Sequence, residues 1–262
     1  MALSPALLAR LAATGEPLAD AVRHYAMAGV IERIARSPSR SALPLRGGML
    51  TRLLVGPSLR RTRDLDFVGD FAFDVAATRE RIAGALAIEL ADELAFAAPT
   101  ATAMWETTRF PGVRAELAIR IGADAVRLQL DIGFGDPLVP PPRSLAFDGS
   151  TRAIEIAACA VEAQLAWKLH GLCELGDGWR PKDLDDAYLL ATRVALDDGV
   201  LPAAIDAAFT SRGYTLAQAR GLLDEPRWAT KTARVRWGMR TPVLADVIAA
   251  LRDRLGGVLA SL

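Results

Sequence analysis

The chain is poor in the residues that build staples and soft-metal sites. Its only cysteines are Cys159 and Cys173. Both lie in apolar patterns of helical spacing, which predicts buried free thiols in a reducing compartment and argues against a disulfide framework. Histidine is as scarce, with His24 and His170 alone, and no Cys/His spacing of the zinc type exists to support a zinc centre. No uninterrupted apolar run reaches the roughly 20 residues that span a bilayer. The start, Met1-Ala-Leu-Ser-Pro, has neither the basic region nor the long apolar core of a signal peptide. Together these absences predict a soluble, cytoplasmic protein with no membrane partner. Net charge is missing too: 31 Lys+Arg balance 31 Asp+Glu. The sum therefore gives no argument for a nucleic-acid partner, and only a local patch could steer one. Lysine is nearly absent, limited to Lys168, Lys182 and Lys231.

What the chain has is apolar substance. Its 262 residues are 52% hydrophobic, enough to fill the core of one large domain or of a domain with a helical extension. Helical periodicity over residues 5–36, broken near Thr14-Gly15-Glu16-Pro17, predicts a short helix and then a longer one. Pro38 and Pro44 bracket a turn. A helix follows over Met49 to Val55, a strand over Asp64 to Val68, and a long amphipathic helix over Thr78 to Phe96. Three strand-like runs come next, Thr102 to Thr108, Arg114 to Ile121 and Ala125 to Ile132, with Gly112 and Gly122-Ala123-Asp124 at the turns. The tract Asp136-Pro137-Leu138-Val139-Pro140-Pro141-Pro142 cannot be helix or central strand and marks an internal boundary. Beyond it the pattern is helical, beginning with one helix over Ile154 to Leu175 and another over Pro181 to Leu196. The expected architecture is an α/β (α+β) core with a small mixed sheet flanked by helices, followed by a helical C-terminal region. Its parts are N-terminal helices over 1–36, the α/β core over 37–150 and a helical domain over 151–262.

Two short motifs carry chemistry. Leu45-Arg46-Gly47-Gly48-Met49 places a Gly-Gly turn ahead of a helix, where bare backbone N–H groups and the helix dipole suit a phosphate. Sixteen residues after Gly48 comes Asp64-Leu65-Asp66-Phe67. On a strand, residues i and i+2 share a face, so Asp64 and Asp66 point into one space and repel unless a cation lies between them. A hard divalent ion such as Mg²⁺ is the natural occupant, with nucleotide phosphates as further ligands. A third acid, Asp131, sits in Val126-Arg127-Leu128-Gln129-Leu130-Asp131-Ile132, where alternation pairs it with Gln129 on one face. If that strand neighbours the first, three carboxylates converge, within about 5 Å of one another if they share ions. Arg46, Arg52, Arg60, Arg61 and Arg63 cluster around these motifs. Alone, Asp-x-Asp is the pattern of a salt-bridged surface strand and Gly-Gly that of a plain turn. Their order and spacing together favour a site.

Two of the lysines lie in the helical half. Lys168 shares a helical face with Gln164 and Gly171, and Lys182 opens Lys182-Asp183-Leu184-Asp185-Asp186. A lone lysine on a helix is usually a solvated charge; one aimed into a cleft holds a triphosphate as a compact point charge. Asp186 is placed to anchor Lys168 or Arg180.

At this point the chain resembles the AbiEii/AbiGii toxin group, nucleotidyltransferases of the DNA polymerase β-like superfamily. The resemblance runs from about residue 40 to 195 and rests on ordered motifs. The family's Leu-Lys-Gly-Gly-Thr-Ala-Leu is similar to Leu45-Arg46-Gly47-Gly48-Met49-Leu50-Thr51, and its Arg-Phe-Ser-x-Asp-Leu-Asp-Phe to Arg60-Arg61-Thr62-Arg63-Asp64-Leu65-Asp66-Phe67. The later strand acid falls on Asp131. Glu-Lys-Leu-x-Ala-Leu is met by Trp167-Lys168-Leu169-His170-Gly171-Leu172, and Lys-x-Arg-Asp-Leu-Tyr-Asp-Leu by Arg180-Pro181-Lys182-Asp183-Leu184-Asp185-Asp186-Ala187. Met49 stands where the family has Thr, so the hydroxyl it would offer a phosphate is gone and backbone N–H groups are left to do that work.

The resemblance implies a bacterial Mg²⁺-dependent enzyme, with Mn²⁺ as substitute ion, that moves a nucleoside monophosphate from an NTP to an acceptor hydroxyl. A tRNA 3′ end or a protein side chain is the implied acceptor, and the implied setting is the toxin of a toxin–antitoxin or phage-defence pair, with an antitoxin protein as partner. In that scheme Asp64, Asp66 and Asp131 hold metal and Lys168 neutralises the triphosphate. Gly47, Gly48 and Lys182 contact nucleotide, and Arg60 or Arg63 supports the acceptor. Two other functions fit the same residues: a non-catalytic nucleotide-binding interaction protein, and a small-molecule nucleotidyltransferase of the aminoglycoside type.

Overall fold

A computed structural model describes residues 3–262. The chain divides into two compact units. One comprises Met1–Leu50, Arg61–Gly135 and Arg143–Ala158; the other comprises Thr51–Arg60, Asp136–Pro142 and Cys159–Leu262.

The first unit is a mixed sheet with helices on it. In chain order its elements are α1 (Pro5–Ala13), α2 (Leu18–Arg36), β1 (Leu45–Arg46), the start of α3 (Gly47–Val55), β2 (Asp64–Gly69), α4 (Val75–Leu86), β3 (Leu94–Phe96), β4 (Thr100–Met104), β5 (Gly112–Ile121), β6 (Asp124–Phe134), β7 (Arg143–Asp148) and β8 (Ala153–Ala158). Among the described residues the strand order is β3-β5-β6-β2-β1-β8-β7, with β4 also on β5. Pairs β2–β6 and β1–β8 are parallel, whereas β1–β2, β5–β6 and β7–β8 are antiparallel. Alternation makes one face apolar: Leu45, Phe67, Ile132 and Val113 lie in one register row, and Leu65, Leu130 and Ala115 in the next. All seven are buried, and helix α2 packs against β6 and β8.

Helix α2 is also tied down by polar groups that would be costly to bury unpaired. The Arg33 guanidinium forks onto Asp92, with Nη2 to Oδ1 at 3.0 Å. Ser150 donates to Asp92 at 2.7 Å, and the backbone N–H of Thr151 donates to Glu32 at 2.8 Å. Burial raises the Glu32 carboxyl, but hydrogen bonds from Thr151 and Ser150 and the charge of Arg36 outweigh it, and the net shift is below the usual range. This network explains one departure from the periodicity. The amphipathic pattern over Thr78 to Phe96 predicts a single helix, yet α4 stops at Leu86. Arg33 Nε takes the Ile88 carbonyl, and Asp92 turns to bond both Arg33 and the Leu94 N–H, which ends the helix and starts β3. A second departure lies at Ile154: the predicted helix to Leu175 is strand β8 as far as Ala158, because β1 needs a parallel partner and pairs Leu45 with Ala158. Strand β4 stops at Met104, short of the predicted Thr108, where Trp105 takes a positive φ of 50°.

The second unit is helical, with α5 (Val161–Glu174), α6 (Pro181–Arg193), α7 (Leu201–Ser211), α8 (Leu216–Gly221), α9 (Lys231–Trp237) and α10 (Leu244–Ser261). Leu165, Leu169 and Leu172 of α5 share one core with Leu184 and Leu190 of α6, Phe209 of α7 and Leu251 of α10. Pro181 at the first position of α6 suits a helix start, since its missing N–H has no intrahelical acceptor to lose. Among the described residues no helix is long and apolar enough to cross a membrane.

Candidate active site

In the sheet unit, β1 runs directly into α3, which begins at Gly47 itself, two residues before the predicted start. Gly47 takes a φ of +71°, which favours glycine, and a Cβ there would collide with the Asp66 carboxylate. The strand–helix junction therefore sets the positive end of α3 against that acid. Met49 is buried in the core, so the methionine that replaces the family's hydroxyl residue serves packing.

Register decides which acids meet. Parallel pairing of β2 and β6 sets Asp66 opposite Asp131 and Asp64 opposite Gln129. Asp64, Asp66, Gln129 and Asp131 thus share one sheet face, the one opposite the apolar rows. The row through Asp66 extends to Arg46 on β1 and Arg114 on β5, two acids flanked by two arginines.

The side chains add what the register does not. Asp131 lies in a bidentate fork from Arg114, Nε at 2.9 Å and Nη2 at 2.8 Å, and Gln129 Nε2 donates to it at 3.0 Å. These bonds to Asp131 raise Arg114 above its usual basicity against the opposing effect of burial. Asp64 accepts from the buried Thr62 hydroxyl at 3.0 Å, while His24 Nε2 lies 3.2 Å from the Thr62 carbonyl and His24 Nδ1 lies 2.8 Å from Glu16. Among the described residues no three His, Cys, Asp or Glu side chains stand as a metal-holding group, and the fork from Arg114 takes both oxygens of Asp131. Arg63 is exposed, one residue before Asp64.

Neither Arg114 nor Thr62 stands out as a site residue in the sequence, yet the signal for Arg114 is present there. Across the two-residue turn Gly122–Ala123, Ile121 pairs with Asp124. Seven residues further out on each strand, Arg114 meets Asp131.

In the helical unit the predicted site residues are held by one another. Lys168 of α5 reaches Asp183 at 2.9 Å and Asp186 at 2.8 Å, both on α6. Arg180 adds a bond to Asp183 at 2.6 Å, and Arg60 forks onto Asp186, with its second contact at 3.3 Å. The Lys168 side chain is 13% exposed and its two acids 3% and 0%, so Lys168 is no solvated surface charge. Burial works to lower its pKa, but Asp186 and Asp183 outweigh that and the net shift is upward. Asp183 is held below the usual carboxylate range, its own burial offset by Lys168 and Arg180. Burial and the neighbouring Asp186 push Asp185 up. Gln164, one turn before Lys168, donates to Thr51 at 3.1 Å. Lys182 is exposed.

The donor set on the sheet face suits a hard divalent cation. Asp64 and Asp66 offer carboxylate oxygens from one face, and the absence of a side chain at Gly47 leaves the Asp66 carboxylate its place.

A family model described as "Nucleotidyl transferase AbiEii toxin, Type IV TA system" matches residues 30–247. The fold is similar to that of a crystal structure from Helicobacter pylori provisionally described as a nucleotidyltransferase, at a TM-score of 0.56 and 16% identity over 94% of this chain and 97% of that one. It is also similar to the crystal structure of JHP933 from Helicobacter pylori, at a TM-score of 0.54 and 15% identity over 100% and 95% of the two chains. At these identities the likeness is one of fold. No curated protein matches the chain.

Proposed function

The chain belongs to the AbiEii nucleotidyl transferase toxin family, and from that premise we propose that it moves a nucleoside monophosphate from an NTP to an acceptor hydroxyl. The observation that carries this reading is the parallel register of β2 and β6, which sets Asp66 beside Asp131 with Asp64 on the same face. Asp64 and Asp66, completed by Asp131, would hold Mg²⁺ or Mn²⁺, which when bound neutralises triphosphate charge and orients it. The backbone N–H groups of the Gly47–Gly48 turn and the positive end of α3 receive the β- and γ-phosphates. Thr62 holds Asp64 in place, and Asp131 accepts the proton of the attacking hydroxyl. An oxygen–phosphorus bond forms at the α-phosphate, the bond to the β-phosphate breaks, and pyrophosphate leaves. The exposed Arg63 supports an anionic acceptor backbone, which favours a tRNA 3′ end over a protein side chain. An antitoxin protein is the proposed second partner.

One observation favours the non-catalytic reading: Arg114 and Gln129 already satisfy Asp131, which leaves a proton acceptor engaged. Incubation with Mg²⁺, each α-labelled NTP in turn and total tRNA or cell extract separates the two. Label on a macromolecule with the native chain and none with Asp66→Ala is the expected result. No label from any NTP, with folded protein and with cell extract of the native host as acceptor source, would favour the binding protein.

A further inference from the structure

Two carboxylates facing each other across neighbouring strands repel. In the sheet unit that cost falls on Asp66 and Asp131, paired in register. The row ends in an arginine on each side, Arg46 beside Asp66 and Arg114 beside Asp131, and the Arg114 guanidinium meets Asp131 through two parallel N–H···O bonds. A planar fork of this kind matches a carboxylate better than a point charge does. The pair is not locked in. Arg114 is 39% exposed and Asp131 19%, so the guanidinium can leave into water at small cost, while Asp131 stays on a strand paired along its length with β5.

We infer that Arg114 is a latch on Asp131, occupying at rest the carboxylate that a divalent cation and the acceptor hydroxyl require in the reaction. This rests on the transfer reading above and adds a residue to it. At rest the fork holds Asp131 turned towards Arg114 of β5, and Gln129 fixes the same oxygen that Arg114 Nη2 takes. When a cation binds at Asp64 and Asp66, the local charge balance no longer needs the guanidinium. Release of Arg114 frees Asp131. Arg114 is thus a positioning residue that acts through Asp131. Cation and latch compete, so whatever weakens the fork must tighten the cation.

The test is Mn²⁺ binding, read by calorimetry and by the electron paramagnetic resonance of free Mn²⁺, in the absence of NTP. Arg114→Gln should bind Mn²⁺ about tenfold more tightly than the native chain, the effect of removing one charge-assisted competitor. Adding Asp131→Asn to that variant should abolish the gain. Arg114→Lys keeps the charge but not the fork and should show a smaller gain in the same direction; it also serves if the glutamine variant fails to fold. Equal affinity in the native chain, Arg114→Gln and Arg114→Lys, with binding lost in Asp66→Ala, would overturn the latch and leave the transfer reading standing. A gain that survives Asp131→Asn would overturn it too, because the effect would then be only the lost field of a nearby charge. Binding in none of the proteins, with or without an NTP, would remove the transfer reading and the latch with it.

Discussion

Each unit of this chain joins acids to bases, and the two do so differently. In the sheet unit Arg114 and Asp131 are partly exposed, 39% and 19%, and stand in one register row with a second carboxylate, Asp66. In the helical unit Lys168, Asp183 and Asp186 are 13%, 3% and 0% exposed and satisfy one another. The same interaction therefore serves two ends. A pair near water exchanges partners cheaply, whereas a buried one cannot lose a member without leaving a charge stranded. We propose that exposure, more than residue type, separates the group available for chemistry from the group that holds helices together.

The largest effect should come from the sheet unit. Asp66→Ala should lower transfer by about 10²–10³-fold or more, the scale on which one electrostatic element at a transferring group counts. Its melting temperature should stay level or rise, since one of two repelling carboxylates is gone. A parallel loss of melting temperature and activity would erase the contrast between the units.

Next comes the helical unit, where Asp186→Ala takes from Lys168 one of its two buried acids and from Arg60 its fork. Thermal or urea unfolding should show a loss of about 3–5 kcal/mol. Such a cost departs from the picture of Lys168 as a surface lysine, and a loss below about 1 kcal/mol would restore that picture. Arg114→Ala should sit at the other end, within about 1 kcal/mol of the native chain by the same measurement, because its pair is solvated.

The smallest effect is a difference in acid sensitivity. His170 on α5 is buried with no hydrogen-bond partner for Nε2 among the described residues, packed by the rings of Trp167, Phe209 and Tyr214. Burial lowers its pKa below 6.5, with Glu174 and Asp136 opposing and Arg212 adding to the shift. Because the folded chain holds this proton less well than the unfolded one, its stability should fall as pH drops below 6.5 through the lower folded value. The sheet unit's Glu32 is also depressed, but from 4.5, so its contribution is lost only as pH falls below 4.5 through its folded value. Asp183 adds a further loss in the helical unit below 3.8. Four of the five tryptophans, Trp167, Trp179, Trp228 and Trp237, belong to the helical unit. Tryptophan fluorescence during urea unfolding should therefore report a weaker helical unit at pH 5.5 than at pH 7.5, and His170→Phe should remove most of that difference.

What was legible in the sequence follows the range of the forces involved. Helix α2 and strands β2 and β6 could be read because their own periodicity sets them, and the shared face of Asp64 and Asp66 follows from strand geometry alone. The neighbourhood of β2 and β6 was a condition in the sequence and is a fact of register in the fold. Elements that depend on distant partners were not legible. Strand β8 exists because β1 lacks a parallel neighbour, although the alternation Ile154-Glu155-Ile156 carries a period-two hint. Strand β7 has no strong pattern of its own and forms on β8. The end of α4 depends on Arg33, far back on α2. In the site, the acids were readable, and so was Asp186 as an anchor for Lys168, whereas Asp183 as its second acid needed α5 to pack on α6. Arg114 lies between these cases, since counting outward from a two-residue turn reaches it.

The most direct test of the account measures label transfer per folded molecule, with Mg²⁺, α-labelled NTP and total tRNA, for Asp66→Ala and Asp186→Asn side by side at low temperature. The account predicts a folded but silent Asp66→Ala, and an Asp186→Asn that melts earlier yet still transfers label. Transfer by Asp66→Ala at the native rate would contradict it.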